Sequence, residues 1–97
     1  MSKKLDPSYR PEFAILNGQV VPYADARISI MAPGLTFAAM VFEGMRAYWN
    51  PDHQQLYVLH LHDHLERLQF SMRVIELDNP PSTEDFTSQV IAGLRAN

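Results

Sequence analysis

Residues 13–21 of the chain read Phe-Ala-Ile-Leu-Asn-Gly-Gln-Val-Val, in which Asn17-Gly18 separates two short apolar runs. A two-residue hairpin turn needs a positive φ angle at both central positions, and asparagine and glycine tolerate that conformation best. The pattern therefore predicts a β-hairpin. A second hairpin is predicted where Met45 to Trp49 and Gln55 to Leu59 flank Asn50-Pro51-Asp52, because these residue types favour turns.

After His60 the apolar residues follow a helical period. Asp78-Asn79-Pro80-Pro81 ends this first long helix, because two prolines cannot continue it. Ser82 then resembles an N-cap, with acidic residues in the first turn of a last helix for which no cap is predicted at Asn97. The apolar stripe of the first helix comprises Leu61, Leu65, Leu68, Met72 and Ile75, and that of the second comprises Phe86, Val90, Ile91 and Leu94.

Two other patterns predict buried surfaces. The apolar run from Leu35 to Phe42 contains alanine and methionine, which favour helix, and Gly44 suits the left-handed position after a helix end. A short buried helix is predicted there. On the helix after His60, Arg67, Phe70 and Val74 lie together, opposite the apolar stripe. Two large apolar residues beside an arginine predict a second packed face.

The predicted order of elements is hairpin, short helix, hairpin, helix, helix. Such an order is typical of the α+β class, here with the helices packed on one face of a small antiparallel sheet. Residues 1–12 contain Pro7 and Pro11 among mainly polar neighbours and are predicted to form an irregular leader. The ordered domain is expected to cover residues 13–97.

The composition excludes several classes of function. The chain has 97 residues, a net charge of −3 and no cysteine, so disulfides, thiolate metal sites and cysteine nucleophiles are excluded. The sequence has no cluster of basic residues of the kind that binds nucleic acids or anionic membranes. It also lacks the long apolar stretch of a signal peptide or a spanning helix. A cytoplasmic protein that binds neither nucleic acid nor membrane is therefore expected.

The residues offer few candidates for chemistry. His60, His62 and His64 approach the arrangement of a metal-dependent hydrolase, but on a helix their imidazoles would fan apart, so no metal site is predicted. Glu43 has no neighbouring carboxylate, which favours a supporting or structural role over acid–base catalysis. Arg67 needs an anionic partner, and a structural ion pair and a carboxylate or phosphate ligand are equally compatible with its position. Arg46 allows the same two interpretations.

Three segments in order resemble a known family. They are Asn17-Gly18 with Val21-Pro22-Tyr23-Ala24-Asp25-Ala26, then Val41-Phe42-Glu43-Gly44-Met45-Arg46-Ala47-Tyr48, then His64-Leu65-Glu66-Arg67-Leu68. Together they resemble the N-terminal domain of the class IV (fold-type IV) pyridoxal-phosphate aminotransferases. The Phe-Glu-Gly-x-Arg form is similar to the branched-chain amino acid aminotransferases in particular.

The resemblance implies roles for four residues. Arg67 would bind the phosphate of pyridoxal 5′-phosphate. Phe37 and Phe42 would line the pocket for the substrate side chain, and Arg46 would lie near the substrate. Phe37-Ala38 stands where relatives more often have Tyr-Gly, so the detailed specificity is expected to differ.

The same resemblance implies that part of the enzyme is missing. The family uses a lysine that forms a Schiff base with the cofactor, whereas Lys3 and Lys4 are the only lysines here and precede every matched segment. No catalytic residue is therefore expected in this chain. It is expected to be a truncated small domain, inactive alone, lacking its last strands and the domain that carries the lysine.

The implied reaction is reversible amino transfer between leucine, isoleucine or valine and 2-oxoglutarate, by an enzyme that forms homo-oligomers. The alternative from the residues alone is a self-standing, non-catalytic domain that binds an anion or a partner protein. That alternative predicts a complete sheet with protected edges, whereas a piece of an enzyme predicts exposed apolar surface.

Overall fold

The first predicted hairpin is present in the computed structural model, which describes residues 8–97. Strands β1 (Phe13–Leu16) and β2 (Gln19–Pro22) pair antiparallel, with Phe13 opposite Pro22 and Leu16 opposite Gln19. Asn17 and Gly18 have φ angles of 51° and 80°, as a two-residue turn of this kind requires. A turn of 3-10 helix at Tyr23–Asp25 follows β2.

The second predicted hairpin is also confirmed. Strands β3 (Ala47–Asn50) and β4 (Gln55–Val58) pair antiparallel. The Asn50 side chain organises their turn, because its Oδ1 accepts the backbone N–H groups of Asp52 and His53 at 3.0 and 3.1 Å. The fold class is α+β as predicted, but within the described residues the hairpins form two separate two-stranded sheets rather than one.

Both long helices are confirmed, and a capping box starts the second. Helix α2 spans Leu61–Val74 and helix α3 spans Thr83–Ala96. Ser82 Oγ accepts the Asp85 N–H at 3.0 Å while the Asp85 carboxylate accepts the Ser82 N–H at 3.3 Å. No described helix has the length and hydropathy needed to cross a bilayer.

The prediction of an uncapped end at Asn97 is wrong. Asn97 Nδ2 donates to the carbonyl oxygen of Gly93 at 2.9 Å, which caps the last turn of α3. The same nitrogen donates to the Phe13 carbonyl, and Oδ1 accepts the N–H groups of Glu12 and Phe13, each at 3.0 Å. One side chain therefore fastens α3 to the start of β1.

The hydrophobic core among the described residues is small. Leu65 and Met72, both on the predicted stripe of α2, are its buried apolar side chains, at 1% and 4% exposure. Helix α3 packs against α2 and the first hairpin. It comes close to β1 at Gly93, where an added Cβ atom would lie 3.2 Å from Ile15 Cγ1.

The predicted buried helix at residues 35–42 is wrong. Helix α1 spans only Pro33–Thr36, and residues 37–46 form neither helix nor strand. Pro33 suits the first position of a helix, so the helix begins earlier than the apolar run. It ends after one turn because Ala38 adopts the left-handed conformation, with a φ angle of 53°.

The run from Leu35 to Phe42 is also not buried. Phe37 and Phe42 are each 81% exposed, and Met40 is 57% exposed. The prediction of a second packed face on α2 is also wrong for the described part of the chain. Phe70 and Val74 are 60% and 64% exposed. The predicted leader falls partly outside the described residues, and residues 8–12 contain neither helix nor strand.

Candidate functional site

The Glu43 side chain connects the irregular segment 37–46 to helix α2. Its carboxylate is almost fully enclosed, with 6% of the side chain exposed. Arg67 donates to both carboxylate oxygens, from Nε to Oε2 at 2.8 Å and from Nη2 to Oε1 at 2.6 Å. His64 Nδ1 lies 2.7 Å from Oε1. Glu43 therefore has three hydrogen-bond contacts with two side chains of one helix.

Helix geometry places His64 and Arg67 side by side. Residues three apart on an α-helix lie on the same face, so both side chains reach the same carboxylate. The His64 side chain is 22% exposed, whereas the Arg67 side chain is 65% exposed. The site thus has an enclosed acidic end and an open cationic end.

The hydrogen bonds stabilise the ionised form of Glu43. Those from Arg67, and then those from His64, lower the pKa of Glu43 to about 2, against the opposing effect of its desolvation. The same carboxylate raises the pKa of Arg67. Because an ionised carboxylate can only accept, the proton between Glu43 and His64 belongs to Nδ1 of the histidine. The 3.4 Å approach of Arg67 Nη2 to that nitrogen then joins two donors and is not a hydrogen bond.

The pair leaves part of the Arg67 guanidinium free to bind an anion. Of its five N–H groups, Glu43 accepts one from Nε and one from Nη2. The second Nη2 hydrogen and both Nη1 hydrogens have no acceptor in the described part of the chain. The second Nη2 hydrogen and one Nη1 hydrogen form the end-on edge of the guanidinium, which matches two oxygens of a carboxylate or phosphate.

A depression of about 350 Å³ lies beside this arginine. His60, Asp63, His64 and Arg67 line it. Because Asp63 contributes a negative charge, the depression has no uniformly positive field. Recognition of an anion here would depend on the directed donors of Arg67 rather than on net charge.

The other three predicted site residues do not contact the Glu43–Arg67 pair through hydrogen bonds in the described part of the chain. Phe42, which precedes Glu43, lines with it a cavity of about 460 Å³ that the buried Leu65 and Met72 also border. Arg46 lines a different groove of about 540 Å³, between the two hairpins and α3. Phe37 lies exposed just after α1. The structure therefore places Phe42 in a cavity that Glu43 also lines, and it places Phe37 and Arg46 elsewhere.

His60, His62 and His64, which were weighed as a metal site, each have a separate carboxylate neighbour. His60 lies 3.4 Å from Asp63, His62 lies 3.1 Å from Glu66, and His64 binds Glu43. No group of three or more potential metal ligands occurs in residues 8–97.

Sequence reasoning missed the joint role of Glu43 and His64. The three-residue spacing of His64 and Arg67 was a signal for their common face. Glu43 precedes His64 by 21 residues in an irregular segment, and no periodicity indicates that it would reach α2. The sequence left open whether Arg67 forms an ion pair or binds a ligand. The structure shows the ion pair, with Glu43.

Comparison with known proteins gives a consistent result, although no protein-family profile matches the chain. The "Probable branched-chain-amino-acid aminotransferase" of Aquifex aeolicus is 38% identical over 78 residues, which is 80% of this chain and 25% of that protein. The branched-chain-amino-acid aminotransferase of Escherichia coli K12 is 25% identical over 88 residues, or 91% of this chain and 28% of that protein.

A solved structure has a similar backbone. The crystal structure of the branched-chain amino acid aminotransferase from Thermobaculum terrenum in its PLP form superposes with a TM-score of 0.79 at 28% identity. The match covers 89% of this chain and 28% of that one. The chain thus spans only about a quarter of the length of the relatives it matches. In sequence and in backbone course, it resembles the N-terminal domain of the branched-chain amino acid aminotransferases.

Proposed function

We propose that residues 13–97 form the incomplete N-terminal small domain of a class IV branched-chain amino acid aminotransferase, and that Arg67 binds the phosphate of its pyridoxal 5′-phosphate. The observation that carries this proposal is the state of Arg67, whose side chain is 65% exposed and held from one side by Glu43. Its free end-on edge fits two phosphate oxygens. The cofactor, when bound, would supply the electron sink for amino transfer.

The exposed apolar surface supports the proposal of an incomplete domain. Phe37 and Phe42 are each 81% exposed, while buried apolar side chains among the described residues are limited to Leu65 and Met72. Solvated rings of this size are unfavourable unless another surface or a ligand covers them. We assign both rings to walls of a pocket for the side chains of leucine, isoleucine and valine. Arg46 is assigned to the substrate side, with less direct support because it lines another groove.

We infer that neither lysine of this chain is the reactive one. Lys3 and Lys4 are its only lysines, and both lie outside the described residues, ahead of β1. The proposal therefore places the lysine on a further part of the enzyme and predicts that these 97 residues alone do not catalyse amino transfer from leucine to 2-oxoglutarate. The complete enzyme would be a cytoplasmic homo-oligomer.

A self-standing domain that binds an anion or a partner protein is the second candidate. It requires a sheet with protected edges, yet the two hairpins are separate sheets within residues 8–97, and many large apolar side chains are exposed. The observed surface favours the aminotransferase piece.

Binding of pyridoxine 5′-phosphate to the chain tests the role of Arg67. This compound carries the ring and phosphate of the cofactor but no aldehyde, so it cannot react with the lysines. We expect NMR titration to show shifts at His64 and Arg67, and Arg67→Ala to weaken binding at least tenfold, as expected for a lost charge-assisted pair. Arg73→Ala is the matched control, because Arg73 lies on the same helix and contacts Phe70 instead.

Two results would contradict the assignment. One is equal weakening by Arg67→Ala and Arg73→Ala, which would indicate general attraction to positive charge. The other is equal binding of pyridoxine without its phosphate, which would remove the phosphate from the interaction.

A further inference from the structure

The open end of Arg67 presents a physical problem for any anion that binds it. Arginine has a long side chain with many rotamers, and binding an anion costs affinity when those rotamers must first be ordered. Because the Arg67 side chain is 65% exposed, its packing alone does not order it. Something else must hold the guanidinium for the end-on edge to be ready.

Glu43 has the geometry for this task. It contacts the guanidinium through the Nε and Nη2 side, at 2.8 and 2.6 Å, and leaves the end-on edge open. The carboxylate is itself held, because its side chain is 6% exposed and His64 Nδ1 donates to Oε1 at 2.7 Å. Two bonds at a fixed planar fork restrict both the position and the plane of the guanidinium.

We propose that Glu43 is a positioning residue for phosphate binding, which holds the Arg67 guanidinium from the side so that its end-on edge is ordered before the phosphate arrives. The inference rests on the proposed function, in which Arg67 binds the cofactor phosphate. His64 assists by holding the carboxylate oxygen that Arg67 Nη2 also contacts.

Two effects of Glu43 on a bound anion oppose each other. The carboxylate orders Arg67, which strengthens binding, and its negative charge repels a phosphate on the other side of the guanidinium, which weakens binding. The two effects predict changes of opposite sign when the charge is removed. The variant Glu43→Gln therefore separates them, since glutamine has nearly the same shape and no charge.

The experiment measures pyridoxine 5′-phosphate binding to the wild type, Glu43→Gln, Glu43→Asp and Arg67→Ala. If Glu43 positions Arg67, Glu43→Gln weakens binding about two- to tenfold, the effect of ordering one long side chain. Glu43→Asp weakens it as well, because the shorter side chain keeps the charge but does not reach both donors. Stronger binding by Glu43→Gln would show that repulsion dominates and would overturn the inference.

A measurement on the wild type keeps the test independent of whether the variants fold. Without any anion, the ¹⁵N relaxation of Arg67 Nε should match that of the α2 backbone. A mobile Arg67 Nε would overturn the inference directly. If Arg67→Ala does not weaken binding, the proposed function fails; if it does while Glu43→Gln does not, only the positioning role fails.

Discussion

Truncation of Leu65 tests whether the small core of α2 holds the described fold together. Leu65 is 1% exposed, and Met72 is the other buried apolar side chain among the described residues. Leu→Ala at such positions costs about 3–5 kcal/mol, from lost transfer free energy and the remaining cavity. A 97-residue domain has a free energy of unfolding of about 5–15 kcal/mol, and so small a core places this one near the lower limit.

We therefore expect Leu65→Ala to remove at least half of the stability. At about 4–8 °C per kcal/mol for a domain of this size, even 3 kcal/mol lowers the Tm by more than about 10 °C. Thermal and urea unfolding followed by far-UV circular dichroism measure the change. Leu35→Ala is the matched control: Leu35 is 59% exposed, so its truncation should cost less than about 1 kcal/mol. Equal losses in the two variants would refute the claim that burial at Leu65 holds the helices together.

Two further predictions follow from the backbone and the charges. Ala38→Gly should raise the free energy of unfolding by about 0.5–1 kcal/mol, because glycine adopts the observed φ angle of 53° without the strain that alanine has there. Ala39→Gly is the control. A thermal scan in which both variants lose stability would contradict this prediction. The pKa of Glu43 falls from 4.5 to about 2 in the folded state, mainly through the Arg67 hydrogen bonds. Its contribution to stability is complete above the unfolded pKa and should be lost as the pH falls from about 4.5 to about 2. Urea unfolding across that range should therefore show a steeper acid loss for the wild type than for Glu43→Gln, and parallel profiles would contradict the pairing.

Elements set by neighbouring residues could be predicted well from the sequence. Asn17-Gly18 predicted a hairpin because the turn conformation depends on those two residues alone. Ser82 predicted the start of α3 in the same way, since the capping bonds join residues three apart. Of the five residues predicted as the apolar stripe of the first long helix, Leu65 and Met72 are buried, whereas Ile75 is exposed and follows the end of α2.

The failures share a different cause. The residues from Leu35 to Phe42 have helical composition, but the observed backbone turns at Ala38 and leaves Phe37 and Phe42 in solvent. Propensity is a weak determinant where the tertiary course of the chain requires another conformation. The same applies to the second face of α2, where Phe70 has an apolar side chain but no packing partner in the described part of the chain that buries it.

For this protein, the sequence by itself determined the two hairpins and the two long helices, because turn residues, caps and apolar periodicity are local. Only the tertiary structure decided what Arg67 contacts. Glu43 lies 24 residues before Arg67, and no local rule brings them together. Their meeting depends on how the segment 37–46 lies against α2, which is a property of the folded chain. The direction of the guanidinium, and hence the edge that it leaves open, follows from that contact.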